Sequence, residues 1–190
     1  MSAKSWDERF RRGEHRSDPP FAFIVDCLGR LPRGDGLRAL DLACGSGRHA
    51  IALAARGWKV TAVDHSTTAL EWLRAQDQSI ETIEADLEAH AYTIERNAWD
   101  LICVSFYMQR DLFPSIRAGI KPGGFIAAAF PMIDEREGIK PMNSEFLMQP
   151  GELRSLFSDF EPLHSAETDP APPKRRTAEL FARKAADSDY

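Results

Sequence analysis

Cysteine is scarce in this chain. Its 190 residues include only Cys27, Cys44 and Cys103. An odd number at wide spacing builds neither a disulfide framework nor a zinc site. Cys44 and Cys103 lie in apolar runs and read as small buried hydrophobes. No metal site is expected. Long apolar runs are missing too: nothing approaches the roughly 20 residues of a membrane span. The opening "MSAKSWDERFRRGEHR" has no apolar stretch of the signal-peptide kind. No membrane partner is expected, and a reducing cytoplasm is the expected location. Positive charge is in deficit, with 24 Lys plus Arg against 29 Asp plus Glu and a formal net charge of −5. Nucleic-acid binders usually carry a basic face, so no nucleic-acid partner is expected. No internal repeat is visible.

What is present is chain enough for one domain, with 43% hydrophobic residues to build a core. Short apolar runs alternate with helical periodicity. The runs "LRALDLA", "WKVTAVD", "IETIEAD", "WDLICVSF" and "FIAAAF" read as strands. Between them, "GRHAIALAARG", "STTALEWLRAQDQS" and "RDLFPSIRAGI" read as helices, the second with a capping box from Thr68 and Glu71. "FAFIVDCLGRL" is an earlier helix, "PGELRSLFSDF" a later one, and "KPGG" a turn. The final runs "EPLHSAE" and "TAELFARK" have only the Pro-rich "DPAPPKRR" between them, so they pair as an antiparallel hairpin or lie apart. This predicts an α/β domain: a Rossmann-like, doubly wound, mainly parallel sheet of about seven strands ending in an antiparallel hairpin.

The stretch "DLACGSGRHA" carries the chemistry. Gly45, Gly47 and Ala50 stand as G-x-G-x-x-A, the spacing of a nucleotide-binding loop. Asp41 stands just upstream. A pyrophosphate would be repelled there, since a unit-charge pair at about 4 Å and an effective dielectric near 20 is worth about 4 kcal/mol. S-adenosylmethionine carries a sulfonium and an ammonium instead, and a carboxylate attracts both. Asp64 ends the second strand-like run, 19 residues beyond Gly45. That matches the roughly 20-residue offset of a ribose-binding acid and suits either cofactor. Asp86 ends the third, where it can accept from an adenine amino group while the Leu87 N–H meets a ring nitrogen. Three successive strands thus bring an acid to one rim.

With these motifs, "LDLACGSG", "VTAVDHS", "EADLE", "WDLICVSF" and "IKPGGFIAAAF", the chain resembles the class I S-adenosylmethionine-dependent methyltransferases. Through "WDERF", "GSGRHAIALAARGWKVTAVDHS", "RDLFPSIRAGIKPGG" and "PGELRSLFSDFE" to "LFARK", it is similar to the tellurite-resistance-type members. The resemblance implies S-adenosylmethionine as cofactor and a small-molecule methyl acceptor, with a thiol or chalcogen oxyanion as candidates. It implies a single domain over 1–190, with a lid segment at 1–20, a cofactor-binding core at 37–130 and a substrate-side part at 131–190. Gly45 and Gly47, with Ala43 in the same loop, lie under the methionine part. Asp64 takes the ribose, His65 and Leu87 contact the cofactor, and Ser105 sits near the sulfonium. Trp6 and Arg9 belong to the lid, and Arg9 pairs with the methionine carboxylate.

Arg48 and His49 read as solvated residues opening a helix. Met108 reads as packing, while Tyr107, Gln109 and Arg110 face the acceptor. No catalytic residue is assigned; the candidates are Tyr107, Arg110 and Arg176, the last because basic residues of the terminal region assist substrate binding in the tellurite-type relatives. "DPAPPKRR" replaces their histidine-containing turn, and His164 reads as an exposed strand residue. "PMIDEREGIKPMNS" carries no feature with an assigned role. The expected assembly is a monomer or homodimer. Two rivals remain: a nicotinamide-dependent oxidoreductase, and a non-catalytic cofactor-binding module.

Overall fold

Residues 3–186 are described by a computed structural model of the chain, with side chains from Trp6 onward. The outer residues 1–2 and 187–190 of the expected lid and substrate-side segments lie outside that range. The apolar runs become seven strands in one sheet: β1 (Arg38–Leu42), β2 (Lys59–Asp64), β3 (Glu81–Glu84), β4 (Trp99–Ser105), β5 (Ile120–Pro131), β6 (Glu161–Glu167) and β7 (Thr177–Arg183). Their spatial order is β3-β2-β1-β4-β5-β7-β6. The first five pair in parallel; β7 runs antiparallel between β5 and β6. The strand order reverses between β1 and β4, which opens a crevice beyond their carboxyl ends.

Both faces of the sheet are covered, which is why β1 and β4 are apolar almost throughout. Side chains alternate along a strand, so each strand feeds two cores. On one face, Ala39, Leu101, Cys103, Ala127, Ala129 and Phe181 pack with α2 (Ala22–Arg30), α3 (Arg48–Ala54) and α4 (Thr67–Gln76). On the other, Leu40, Ile102, Val104 and Phe130 pack with α5 (Phe113–Gly119) and α6 (Glu152–Leu156). The N-terminal helix α1 (Ala3–Arg11) sends Phe10, 5% exposed, against Trp72 of α4, their rings edge to face at 6.0 Å.

Two local expectations are corrected. The N-cap of α4 is Ser66, whose Oγ accepts from the Ala69 N–H at 3.2 Å; no Thr68–Glu71 capping box forms. The same Oγ donates to Asp7 Oδ1 at 2.6 Å, so the cap also ties α1 down. "KPGG" is no separate turn but the irregular start of β5, with a register shift against β4 between Trp99 and Leu101.

Candidate active site

The loop after β1 is shaped by backbone. Ala43, Gly45 and Gly47 all have positive φ (52°, 55° and 81°). At Gly47 a Cβ would lie 2.3 Å from Leu73 Cδ1, so the position needs glycine for space as well as for conformation. Asp64, at the end of β2, holds this loop in place. Its Oδ2 accepts from the Gly45 N–H at 2.7 Å and its Oδ1 from the Ser66 N–H at 2.8 Å. Burial pushes its pKa up, against the pull of those two N–H groups. A carboxylate offers about four acceptor sites, so acceptor capacity remains for a ligand. The Phe10 ring reaches 3.3 Å from where a Gly45 Cβ would stand, and Ser46 Oγ donates to the His15 carbonyl at 2.9 Å. Helix α1 thus covers the loop.

Beneath the loop lies a knot of Asp41, His49 and Cys103, all buried, whose ligand-capable atoms lie within 4.8 Å of one another. His49 Nε2 accepts from the Phe21 N–H at 3.1 Å. Nε2 is therefore unprotonated, and Nδ1 carries the hydrogen toward Ser105 Oγ at 3.3 Å. Burial holds the His49 pKa down at about 3, so the ring is neutral. Burial pushes the Asp41 pKa up to about 7, offset in part by the Ala50 N–H and by Arg48, and its Oδ2 makes no hydrogen bond among the described residues.

The opposite wall is the chain leaving β3 and β4. Asp86 Oδ1 accepts from the Ala89 N–H at 3.2 Å. Gln109 Nε2 donates to the Leu87 carbonyl at 3.1 Å, while its Oε1 accepts from the Tyr107 hydroxyl at 2.7 Å. Phe106 sits at φ 59°, a conformation rare for an aromatic residue, with its ring 40% exposed. That ring meets Phe21 edge to face at 5.0 Å.

A glycine loop whose amide is capped by the β2 acid, on a sheet with β7 inserted antiparallel, narrows the family, and known proteins share the pattern. Residues 39–124 match the family model described as "Methyltransferase domain". That stretch runs from β1 into β5 and holds the glycine loop and Asp64, and there the chain is similar to S-adenosylmethionine-dependent methyltransferases. It is similar to a trans-aconitate 2-methyltransferase of Paracidovorax citrulli, at 31% identity over 64% of this chain and 48% of the relative. It is also similar to the probable S-adenosyl-L-methionine-dependent methyltransferase TehB of Haemophilus influenzae, at 27% identity over 77% of this chain and 57% of that one. It spans about half the length of these curated relatives. The crystal structure of TehB from Haemophilus influenzae superposes with a TM-score of 0.75 at 22% identity, covering 94% of this chain and 67% of that chain, and so shares the fold.

Against this methyltransferase frame, the structure gathers Ala43, Gly45, Gly47, Asp64, His65, Asp86, Leu87 and Ser105 around the crevice at the ends of β1 to β4. It revises other expectations. Asp41 does not face the rim: it is 1% exposed and points under the loop, because Asp41 and Cys103 are register partners on the face covered by α2 and α3. His49 is not a solvated residue but 3% exposed. Arg9 is already engaged, its Nε on Glu14 Oε2 at 2.7 Å and its Nη2 on His15 Nε2 at 2.7 Å, with its guanidinium 4.4 Å from the Trp6 ring centroid. Arg110 is a clamp: it forks onto Glu152 at 2.7 and 3.0 Å and donates to the Glu145 and Leu147 carbonyls. Burial raises the pKa of Tyr107, so it stays a neutral hydroxyl bound to Gln109. Arg176 lies beside Asp169 at 3.6 Å, and its backbone N–H donates to Asp134 Oδ2. His164 is not exposed but half-buried against Phe23, their ring centroids 5.1 Å apart. Sequence reasoning missed the roles of Phe10, Ser66 and Phe106. The i, i+4 spacing of Trp6 and Phe10 was a usable signal for a packed helix face; nothing local marks Phe106.

Proposed function

We propose that this protein transfers a methyl group from S-adenosylmethionine to a small-molecule acceptor. One observation carries the reading. The Gly45 N–H, which a dinucleotide loop would offer to a pyrophosphate, is spent on the Asp64 carboxylate at 2.7 Å. The cradle therefore presents negative charge, which suits a phosphate-free, cationic adenosyl compound and disfavours a nicotinamide dinucleotide. When bound, S-adenosylmethionine supplies an electrophilic methyl group on a positively charged sulfur. The free acceptor sites of Asp64 would hold the ribose hydroxyls, Asp86 and the Leu87 N–H the adenine, and the positive-φ loop leaves room for the methionine part. Segment 1–20 would act as the lid, through Phe10 and the Asp7–Ser66 bond.

For the acceptor, the tellurite-type resemblance suggests a thiol or a chalcogen oxyanion. An oxyanion calls for unpaired cations, and Arg110 and Arg176 both have acidic partners here. The reading is tested by calorimetric titration with S-adenosylmethionine, its demethylated product and NADH. The expected result is binding of the first two, and a loss of about tenfold in affinity with Asp64→Asn, as for one charge-assisted hydrogen bond. Binding of NADH alone would overturn it. Formation of S-adenosylhomocysteine across a panel of small thiols, oxyanions, acids and amines separates a working enzyme from a non-catalytic module.

A further inference from the structure

Between α2 and the β6–β7 hairpin lies a cavity of about 280 Å³. Phe21, Phe23, Cys27, His164 and Glu179 line it, with Asp26 and Arg30 toward solvent. Its inner wall holds an unusual group: Glu179, only 9% exposed on a strand otherwise apolar at its centre. Glu179 Oε1 accepts from Thr177 Oγ1 at 3.1 Å. Its Oε2 lies 3.6 Å from His164 Nε2, a buried nitrogen that makes no hydrogen bond among the described residues. A buried carboxylate beside an unsatisfied imidazole nitrogen is costly unless a ligand completes the set.

The cavity also adjoins the crevice. Ser105 pairs in register with Ala129, and Ala129 with Glu179. Ser105 and Glu179 therefore stand two strand spacings apart, roughly 9–10 Å. Phe21 lines the cavity, touches Phe106 at the crevice and donates its N–H to His49, the partner of Ser105. One residue is thus a wall of both spaces.

Building on the methyl-transfer reading, we propose that this cavity is the acceptor site and that it takes a small primary amine with an apolar stem. Glu179 binds the ammonium, and Phe21 and Phe23 flank the stem and face the cation. The His164 Nε2 lone pair removes one ammonium proton. The freed nitrogen pair then forms the N–C bond to the methyl while the C–S bond breaks, its electrons staying on sulfur. The product is a secondary ammonium, and His164 returns its proton to water. Cys27 is a neutral wall, since burial pushes its thiol up to about 12 and leaves little thiolate to compete for the methyl.

The test uses the full chain with benzylamine, benzyl alcohol and benzoate as probes, each titrated first without S-adenosylmethionine. Benzylamine is expected to bind, and benzoate not. Glu179→Gln weakens benzylamine about tenfold, the worth of a charged hydrogen bond. Cys27→Leu, which fills the cavity, weakens it too. His164→Gln leaves the amine Kd nearly unchanged but lowers its methylation about a hundredfold, as for loss of a general base. Unchanged S-adenosylmethionine affinity in all three variants shows that they fold. Benzoate binding more tightly than benzylamine would overturn the proposal, and so would amine readouts that none of the variants move. If those readouts stay still while another acceptor is methylated, the amine inference falls and the methyl-transfer reading stands. If S-adenosylmethionine does not bind at all, the reading falls and takes the acceptor role with it.

Discussion

The two ends of the crevice are built differently. At the β1–β2 end, backbone does the shaping: three positive φ angles between Ala43 and Gly47, and two N–H groups gripping Asp64. At the β5–β7 end, long side chains do it. Arg110, Arg136 and Arg175 reach across loops to carbonyls and acids, and the cavity walls come from three separate elements. The first end is a rigid seat for a ligand of fixed shape. The second can change its contents through single side chains while the sheet beneath it stays put. The methyl transfer proposed above, with a fixed cofactor and a variable acceptor, calls for that division of labour.

The sharpest way to probe the rigid end is through the carboxyl buried under it. Burial pushes the Asp41 carboxyl up to about 7 from its ordinary 3.8. The folded state therefore holds a proton that the unfolded state releases, and the stabilisation this gives is lost as pH rises from about 4 through 7. That difference corresponds to about 4 kcal/mol. His49 works with the opposite sign: its folded value of about 3 lies below the ordinary 6.5, so its contribution is lost as pH falls through that window. The two slopes largely cancel in the native protein. Asp41→Asn removes one of them. Urea unfolding from pH 4 to pH 8 is expected to show Asp41→Asn gaining about 4 kcal/mol on the native protein across the series. Parallel profiles would mean that Asp41 is ionised in its burial site, and that the loop sits on a charge.

Glycines offer a direct contrast between the two ends. Gly47 and Gly151 have similar angles, φ 81° and 74°. An alanine Cβ at Gly47 meets Leu73 at 2.3 Å, while at Gly151 it meets nothing within 4 Å. Left-handed backbone alone costs roughly 1–2 kcal/mol, and overpacking a core adds roughly 1–3 kcal/mol. Gly47→Ala should therefore destabilise by about 3 kcal/mol and Gly151→Ala by about 1 kcal/mol, read from urea midpoints. Equal effects would erase the distinction between a packed seat and an open turn.

The same difference explains what was legible in the sequence. Gly45, Gly47, Asp64 and Asp86 announced themselves because backbone geometry demands particular residue types at particular offsets. The sheet and its antiparallel ending followed from hydrophobic runs, which depend on burial and little else. Asp41 was misplaced because a strand's last residues alternate between faces, and a linear motif does not say which side of the loop a carboxylate occupies. The Glu179–His164 pair escaped because its members are 15 positions apart on two strands, brought together only by the register of β6 on β7. "PMIDEREGIKPMNS" looked featureless for a related reason. Its anchor is Asp134 gripping Arg136, whose other contacts, Asp169 and the Pro170 carbonyl, lie over thirty residues away. Long-range side-chain pairing leaves no local periodicity to read.

Arg110 gives the finest discrimination between the two ends. It follows the β4 terminus closely enough in sequence to look catalytic, yet every guanidinium nitrogen has a partner on the α6 side. Its side chain is 43% exposed, so the pair with Glu152 is screened and worth at most about 1 kcal/mol. The two carbonyl contacts add specificity of geometry, which a lysine cannot reproduce because it lacks the planar fork. Arg110→Lys is therefore expected to lose nearly as much stability as Arg110→Ala, about 1 kcal/mol in each case, with turnover per folded molecule within about twofold of the native protein. A catalytic cation would behave in the reverse way: lysine would preserve part of the rate, alanine would abolish it, and stability would move little. Urea midpoints and kcat on the same two variants thus decide whether this residue belongs to the chemistry or to the frame around it.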